Sequence, residues 1–553
     1  MKPHTPRSRR LGVAAACFTL IGAASAAPNP PVDALTFRVS EPSPFQPGCN
    51  GVPQTGTLYR NAEVEPFVAA NPRFPLNLVG VWQQDRWSNG ASQGLGTAYS
   101  FDGGVTWDRV FPPFTRCAGG DSTNGGDFER GSDPWVSFSP NGVVHQMVLT
   151  VSFNAPPDQP QTGMLVSRSI DGGKSWSAPI TLVADTAERF NDKNSITADP
   201  TDSHFVYAVW DRLSSVAGEG AGPTLFARSI DNGAHWQSPR IAFDPGPSAQ
   251  TIGNRIEVLP DGTLVDLFTL IDYLTGAASL QVIRSNDHGT TWSPPVFVAD
   301  VLAIGASDPE TGTPIRDGAG LAQMAITRQG KIYVVWQDAR FSGGTRDGIG
   351  LSESTDGGLT WSAPVQINGD PLVQAFTPSV HVRRNGTVGV SYYDLRSNTV
   401  DPSTLPTDTW LTRSHDGTTW RESRVSAPFD LSSAPQAGGL FLGDYQGLTS
   451  IGSVFVPFFL KTTGQPDNRD DVFSHLTPNG LLPWTAQDSA QAERQVQQEE
   501  STLPAMSVQG TGHAMPSVPP QMRAATWRAF ERTMRARVPD WDARLEARRT
   551  LTR

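Results

Sequence analysis

The sequence has little positive charge, few cysteines and, beyond its first 26 residues, no long apolar run. It carries 43 Lys and Arg against 54 Asp and Glu, a formal charge of −11 at pH 7, and a surface of this sign makes nucleic acid an unsuitable partner. No later segment has the roughly 20 apolar residues of a membrane-spanning helix. With 553 residues, 53 of them Gly and 46 Pro, the composition is typical of a large, turn-rich globular protein.

The N-terminus has the pattern of an export signal. A basic stretch precedes the apolar run LGVAAACFTLIGAA, and Ala24-Ser25-Ala26 provides small residues for cleavage. We therefore predict that residues 1–26 are a signal peptide and that the protein is periplasmic or extracellular. SRRLGV is also half of a twin-arginine signal, so Sec and Tat export both stay open. Cleavage leaves two of the three cysteines, Cys49 and Cys117, and an oxidising compartment permits them to form a disulfide.

An octet of the form S-x-D-x-G-x-[TS]-W recurs along the chain. It has five full copies and a shortened sixth, which begin at Ser100, Ser169, Ser229, Ser285, Ser354 and Ser414. A short Asp accepts hydrogen bonds that hold a turn, Gly tolerates positive φ, and Trp covers apolar surface where the next strand leaves. We interpret the octet as a hairpin staple with no catalytic role.

The spacing of the octets predicts the architecture. Their aspartates lie 56 to 69 residues apart, which is room for four strands and thus one propeller blade. Seven first strands align on one apolar position, occupied by Val68, Val136, Ile196, Ile256, Met324, Val380 and Leu448. We predict an all-β fold, a seven-bladed β-propeller over residues 55–484, with six blades as the alternative. Within the N-terminal segment, residues 27–54, the alternating stretch 34–40 is predicted to pair with the last blade and close the ring.

The C-terminal part departs from this pattern. Residues 485–520 resemble a polar linker. Residues 521–553 are predicted to be a basic amphipathic helical tail, because apolar residues recur every three or four positions, at Trp527, Phe530, Met534, Val538, Trp541 and Leu545. Pro539 divides this tail into two short helices. Packing onto the propeller and docking on an acidic partner or surface both stay open.

Antiparallel alternation places the starts of the first strands and the ends of the second strands on one face, called here the upper face, and the octets on the opposite face. One equivalent upper-face position is occupied by Glu65, Asp133, Lys193, Gly253, Leu321, Thr377 and Tyr445. Because the last blade precedes the first in a ring, Tyr445 and Glu65 are predicted neighbours, and a carboxylate can activate a phenol as a nucleophile. The alternative is that GDYQG only shapes a strand start.

Four second strands end in Asp-Arg or Asp-x-Arg, with the pairs Asp85 and Arg86, Asp211 and Arg212, Asp338 and Arg340, and Asp394 and Arg396. Two interpretations stay open. The pairs can form salt bridges between blades, or the guanidinium groups can bind a substrate carboxylate in bidentate geometry.

The octets resemble the Asp-box (BNR) repeat of the sialidase (neuraminidase) superfamily over about residues 55–480. The resemblance implies a propeller glycosidase with a Tyr nucleophile, an assisting Glu, an Asp acid/base and three Arg that hold a carboxylate. It gives these catalytic roles to Tyr445, Glu65 and Asp133. Its carboxylate ligands correspond to Arg255, Arg340 and Arg396, and the upper-face residues Arg130 and Arg86 are further substrate-binding candidates. The family's [FY]-R-I-P motif is absent.

Three functions follow from these patterns. The first is an exported, sialidase-like glycoside hydrolase that acts on terminal acidic sugars. The second is a non-catalytic propeller that binds glycans or proteins, and the third is a propeller polysaccharide lyase that acts on uronic acids. In each case the expected partner is a carbohydrate, with an anionic glycan favoured, and no cofactor or metal ion is predicted.

Overall fold

The computed structural model describes residues 32–216, 218–477, 498, 501–503, 505–507, 518–538 and 540–551. The predicted signal peptide and most of the predicted linker lie outside these residues. The described chain is mostly β. Among the described residues, no helix is both long and apolar enough to cross a membrane.

Most strands form seven successive antiparallel units, numbered here in chain order. Units 1 to 3 consist of Leu58–Ala70, Leu78–Trp87, Ser92–Ser100 and Asp108–Val110; then Arg130–Phe138, Val144–Val151, Thr162–Ser169 and Ile180–Asp185; then Arg189–Ala198, Val206–Ser214, Thr224–Ser229 and Arg240–Phe243. Units 4 to 6 consist of Ala249–Val258, Leu264–Asp272, Ala278–Ser285 and Val296–Asp300; then Gln323–Ile326, Ile332–Asp338, Gly348–Ser354 and Val365–Gln366; then Ala375–Val382, Val388–Asp394, Pro406–Ser414 and Thr419–Arg424. Unit 7 consists of Gly447–Ile451, Val454–Gln465 and Asn468–His475, with Thr36–Arg38 as its fourth strand.

The N-terminal strand joins the two ends of the sheet structure. Thr36–Arg38 pairs antiparallel with Asn468–His475, with Phe37 opposite Ser474, as the alternation over residues 34–40 predicts. Each first strand contacts the first strand of the next unit, and that of unit 7 contacts that of unit 1. The first strands therefore surround a common axis, and their early residues converge at one end of it.

The octets form the hairpins between third and fourth strands. In the first copy, the Asp102 carboxylate accepts hydrogen bonds from the Thr106 amide at 2.9 Å and the Thr106 hydroxyl at 2.6 Å, while the Trp107 indole donates to the Gly104 carbonyl at 3.0 Å. The same Asp-to-backbone bonds recur at Asp171, Asp231, Asp287, Asp356 and Asp416. The staple interpretation is confirmed, and these residues lie at the end of the axis away from the first-strand starts.

The core lies between the units. Trp82, Trp210 and Trp336, on three second strands, are fully buried, and each packs in a cluster that includes the preceding unit. Outside the sheets, the predicted disulfide between Cys49 and Cys117 is present, with its Cα atoms 4.7 Å apart. It ties the N-terminal segment to the 3-10 turn Arg116–Ala118 after unit 1.

Four short strands lie outside this plan. Ile315–Arg316 pairs in parallel with Leu440–Phe441, which carries Arg316 toward the axis beside unit 7. Phe429–Asp430 pairs with the third strand of unit 6. Ala505–Ser507 pairs with its fourth strand, so the predicted polar linker contains one strand.

The C-terminal tail forms two helices, α1 (Pro520–Arg537) and α2 (Trp541–Leu551). Their apolar stripe packs onto units 3 and 4, in a cluster that joins Phe530, Met534, Val538, Trp541 and Leu545 to Phe190, Leu213, Ile252, Ile271 and Tyr273. The stripe predicted from the sequence is therefore covered by the chain's own propeller, and the docking of α1 and α2 on another molecule stays a prediction.

Candidate functional site

The first strands of five units share a bulge at the equivalent position predicted from their alignment. There the backbone is left-handed, with φ of 55°, 48°, 44°, 71° and 50° at Glu65, Asp133, Lys193, Gly253 and Thr377. The strand register shifts at each bulge. A residue other than Gly costs about 1 kcal/mol in this conformation, and bulges re-aim side chains beside functional sites. The bulges direct three charged side chains toward the axis.

These three side chains and Asp444 form a buried cluster, called here the lysine cluster. The Lys193 ammonium nitrogen lies 3.0 Å from Glu65 Oε1, 2.8 Å from Asp444 Oδ2 and 3.4 Å from Asp133 Oδ2. All four residues are at most 5% exposed. Three carboxyl groups from units 1, 2 and 7 are thus held around one cation from unit 3.

Two arginines border the lysine cluster. The Arg316 guanidinium donates two hydrogen bonds to the Asp444 carboxylate, of 2.7 Å and 3.0 Å. Arg86 and Arg316 also stack on the Phe441 ring, at 5.0 Å and 4.2 Å from its centre, and Arg86 donates to the Gln83 side chain at 2.8 Å. Of the predicted arginines, Arg86 is the one that the structure brings to this site.

The carboxyl groups of the lysine cluster have divergent proton affinities. Burial, then the neighbouring Asp133, raises the pKa of Glu65 to about 8, even though Lys193 lowers it. For Asp133 burial acts upward, but the charge of Lys193, the hydrogen bond with Glu65 and the charge of Arg537 together outweigh it and hold the pKa at about 2. At neutral pH a protonated acid therefore lies beside an ionised carboxylate, and such a pair is the usual signature of acid/base chemistry.

Tyr445 does not form the predicted hydrogen bond to Glu65. Its ring lies against Trp135, with the ring centres 5.3 Å apart, and its hydroxyl donates to the Pro134 carbonyl at 3.3 Å. Burial, then the charge of Glu65, raises its pKa well above the usual range. Before unit 7, Asp444 is the residue whose side chain pairs with Lys193, and a Cβ on Gly443 would meet the backbone of Glu65. Tyr445 contacts the lysine cluster through its ring, whose centre lies 5.4 Å from the Lys193 ammonium nitrogen.

The predicted clamp of Arg255, Arg340 and Arg396 is not assembled. Arg340 pairs at 2.8 Å with Asp338 at the end of its own strand, and Arg396 pairs at 2.6 Å with Asp394 in the same way. An Arg two residues after a buried Asp reaches back to it. Arg396 thereby stabilises its own unit, where it also pairs with Glu422, while Arg340 also donates to the Asp300 carbonyl of unit 4.

Arg255 lies instead in a separate cavity of about 320 Å³, lined by the later residues of the first strands. Its guanidinium bonds Glu257 at 3.0 Å and stacks on Trp135 at 5.3 Å. His381 also lines this cavity, and burial, then Arg255, lowers its pKa to about 4. This cavity contains none of the residues of the lysine cluster.

The Arg130 side chain is occupied by structural contacts. It donates to Gln54 at 2.6 Å, to Asn89 at 2.9 Å and to the Thr55 carbonyl at 3.0 Å, and it stacks on Trp87 at 4.5 Å. Arg130 therefore holds the N-terminal segment on unit 1. Its binding of substrate stays a prediction.

Helix α1 closes the upper face over this site. The Arg537 guanidinium forms an ion pair with Asp192, both side chains being at most 5% exposed. Between them and the lysine cluster is a space of about 20 Å³, bordered by Arg86, Asp133 and Arg316, which is the size of one water molecule. Within the described ranges, no three His, Cys, Asp or Glu side chains are placed to hold a metal ion.

Sequence reasoning assigned no site role to Lys193, Asp444, Arg316 or Arg537. A signal existed for Lys193, which shares the bulge position of Glu65 and Asp133. No local pattern indicated Arg537, because its partner Asp192 is 345 residues away in the chain.

In sequence, the chain is similar to a sialidase of Micromonospora viridifaciens, with 24% identity over 333 residues that cover 54% of this chain and 46% of the sialidase. It is also similar to a xyloglucanase of a Paenibacillus species, with 28% identity over 185 residues that cover 31% of this chain and 16% of that protein. The chain therefore spans about half the length of the sialidase and less of the xyloglucanase. No protein-family model matches the chain.

Among solved structures, the Hadza microbial sialidase Hz136 aligns with a TM-score of 0.41 at 16% identity, covering 73% of this chain and 77% of that one. The GH93 α-L-arabinofuranosidase of Fusarium graminearum in complex with arabinobiose aligns with a TM-score of 0.40 at 14% identity, covering 65% of this chain and 92% of that one.

Proposed function

We propose that the chain is an exported, seven-bladed propeller of the sialidase type that hydrolyses glycosidic bonds at the lysine cluster. The similarity to the Micromonospora sialidase and the cyclic contacts of the seven first strands support this proposal. The observation that carries it is the Glu65 and Asp133 pair, two carboxyl groups within 3.4 Å of one ammonium nitrogen and with opposite pKa shifts.

In the proposed reaction, Glu65 gives its proton to the glycosidic oxygen as the bond to the anomeric carbon breaks. Glu65 and Asp133 are hydrogen-bonded to each other in the closed state, so a sugar must first separate the two carboxyl groups. Asp133 then stays ionised and stabilises the positive charge that develops on the sugar ring. A water molecule then adds to that carbon, and its proton returns to Glu65. An acidic sugar places its carboxylate on the side of Arg86, because guanidinium is the preferred partner of carboxylate. Arg86 donates to the neutral Gln83 side chain, whereas Arg316 is already paired with Asp444.

The role of nucleophile that the resemblance gives Tyr445 stays a separate prediction. In the closed arrangement its hydroxyl is engaged by Pro134, so attack on a sugar first requires that this bond breaks. Replacement of Tyr445 by Phe tests this role without disturbing Glu65 or Asp133.

The proposal is tested by hydrolysis of terminal sialosides and of aryl glycosides of neutral sugars. Glu65→Gln and Asp133→Asn are each expected to lower turnover at least about 100-fold. Glu257→Gln is the control, because Glu257 is a partly buried acid, 27% exposed, whose pKa is also raised by burial and which lies in the other cavity. Equal activity of all three variants would refute the site.

A non-catalytic, glycan-binding propeller is the second candidate. It is favoured by the burial of the lysine cluster beneath Arg537 and by the engaged Tyr445 hydroxyl. For this function we expect calorimetry to show that a glycan binds and is not hydrolysed. The affinity for the glycan should be the same in the wild type and in Glu65→Gln. Unsaturated products from a uronic-acid polysaccharide, detected by ultraviolet absorbance, would instead indicate the lyase.

A further inference from the structure

We infer that α1 and α2 are a lid made by the chain's own C-terminus, which must leave the upper face before a sugar reaches the lysine cluster. This inference rests on the proposed function. The acids Glu65 and Asp133 are 1% and 3% exposed, and the space beside them measures about 20 Å³. Ligand pockets have volumes of roughly 300 Å³ or more, so the closed state excludes even a single sugar ring.

The lid is held by contacts that are separate from the sheets. Its apolar stripe, centred on Phe530 and Met534, covers the upper ends of units 3 and 4. Arg537 reaches past this stripe to Asp192, and Arg532 donates to the Ile304 carbonyl at 3.3 Å. Neither helix supplies a strand to any of the seven units, so the units keep their pairing when the helices leave.

The lid interface is incompletely satisfied. Thr526 Oγ1, Arg537 Nη1 and Trp541 Nε1 are buried without a hydrogen-bond partner among the described residues. A buried polar group without a partner lowers stability, whereas an open lid exposes all three atoms to water.

A disulfide lock tests whether opening is needed. A Cβ placed on Gly305 lies 3.6 Å from the Ala529 Cβ on α1, which is within the range of natural disulfides. In a full chain that carries Cys17→Ser, we expect oxidised Gly305→Cys/Ala529→Cys to hydrolyse substrate at least about tenfold more slowly than the same protein after mild reduction. Each single-cysteine variant is a control for the strain of a side chain at Gly305, whose φ is +79°. Equal rates in the oxidised and reduced forms would overturn the lid.

The opposite perturbation loosens the lid. Phe530→Ala removes a buried aromatic contact and Arg537→Gln removes the ion pair, and both are expected to raise the open population at least about tenfold. Arg535→Gln is the matched control on the same helix, because Arg535 is 50% exposed and, within the described part of the chain, its ion pairs are with the tail residues Glu531 and Asp542.

Access is also measured without catalysis, so that the lid and the proposed function fail separately. Ser132 borders the small space beneath Arg537, and a thiol at this position, in Ser132→Cys, reports on access through its rate of reaction with a maleimide. We expect Phe530→Ala to accelerate this reaction at least about tenfold and Arg535→Gln to leave it unchanged. Faster labelling without any sugar hydrolysis supports the lid and refutes the hydrolase. Labelling that is equally fast in every variant refutes the lid.

Discussion

Replacement of Lys193 by Met tests the buried cluster on which the proposed site depends. The substitution keeps the length of the side chain and the left-handed backbone, φ 44°, but removes the charge that lies within 3.4 Å of three carboxyl groups. Two of these carboxyl groups, Glu65 and Asp444, are destabilised less by the loss of the Lys193 ammonium. Glu65, with a pKa of about 8, is largely protonated at pH 7, and Asp444 keeps its bond to Arg316.

The substitution therefore destabilises the protein mainly by leaving the ionised Asp133 carboxylate without its cation. A buried charge that loses its partner costs about 3–5 kcal/mol, so Lys193→Met is expected to lower the free energy of unfolding by that amount at pH 7. The depressed pKa of Asp133, about 2, stabilises the wild type above the unfolded value, near 4, and this stabilisation disappears as the pH falls through about 2. The difference between variant and wild type should therefore shrink from pH 7 toward pH 2.

Urea unfolding of the full chain at a series of pH values measures this difference. Lys331→Met is the matched control, because Lys331 pairs with Glu353 at 2.8 Å while 24% exposed, and exposed pairs contribute at most about 1 kcal/mol. In the Lys193→Met background, Asp133→Asn should recover about 2 kcal/mol, since it removes the unpaired charge. Equal losses for Lys193→Met and Lys331→Met would refute the reasoning.

Three further predictions concern the acid, the tyrosine and the disulfide. The wild-type kcat/KM for a glycoside should fall as the pH rises through about 8, because Glu65 must hold its proton, and Glu65→Gln should abolish this limb of the profile. Tyr445→Phe should keep turnover within about threefold and lose about 1 kcal/mol of stability with the bond to Pro134; a loss as large as that of Glu65→Gln would establish the nucleophile. Cys49→Ser/Cys117→Ser should lower the free energy of unfolding by about 4 kcal/mol, since the bridged residues are 68 apart, and equal urea midpoints would contradict this.

The repeat and the strand alignment were sufficient to predict which end of the axis carries Glu65, Asp133 and Lys193. The octets mark the hairpins at one end of the axis, and the alignment on apolar residues places Glu65, Asp133 and Lys193 at one bulge position. These features are local, since strand alternation and turn chemistry depend on neighbouring residues. For the same reason the pairing of residues 34–40 with the last strand followed from its alternation and from the need to cover sheet edges.

The choice of site residues failed where it depended on contacts between distant segments. The resemblance selects arginines by type, but Arg340 and Arg396 are neutralised by an Asp two residues earlier. Tyr445 lies beside Lys193, but its hydroxyl donates to the Pro134 carbonyl, 311 residues away in the chain, and not to Glu65, so its role as nucleophile stays a prediction. Arg537 was missed because it lies on a helix that packs through an apolar stripe. Such a stripe predicts that one face of the helix is buried, but it does not predict which surface covers that face.

The lid also constrains how an acidic sugar can bind in the proposed open state. When α1 leaves, Asp192 loses Arg537, its ion-pair partner, while Arg316 stays on Asp444 at 2.7 Å and Arg86 stays on Gln83 at 2.8 Å. The side of unit 3 thus gains a negative charge, and the opposite side keeps two guanidinium groups. A sugar carboxylate is repelled by Asp192 and attracted to Arg86, whose partner Gln83 is neutral, so one orientation of the ring is favoured. The sugar hydroxyls then face Asp192. In the open state they can donate hydrogen bonds to its carboxylate, in place of the Arg537 guanidinium that donates to it in the closed state.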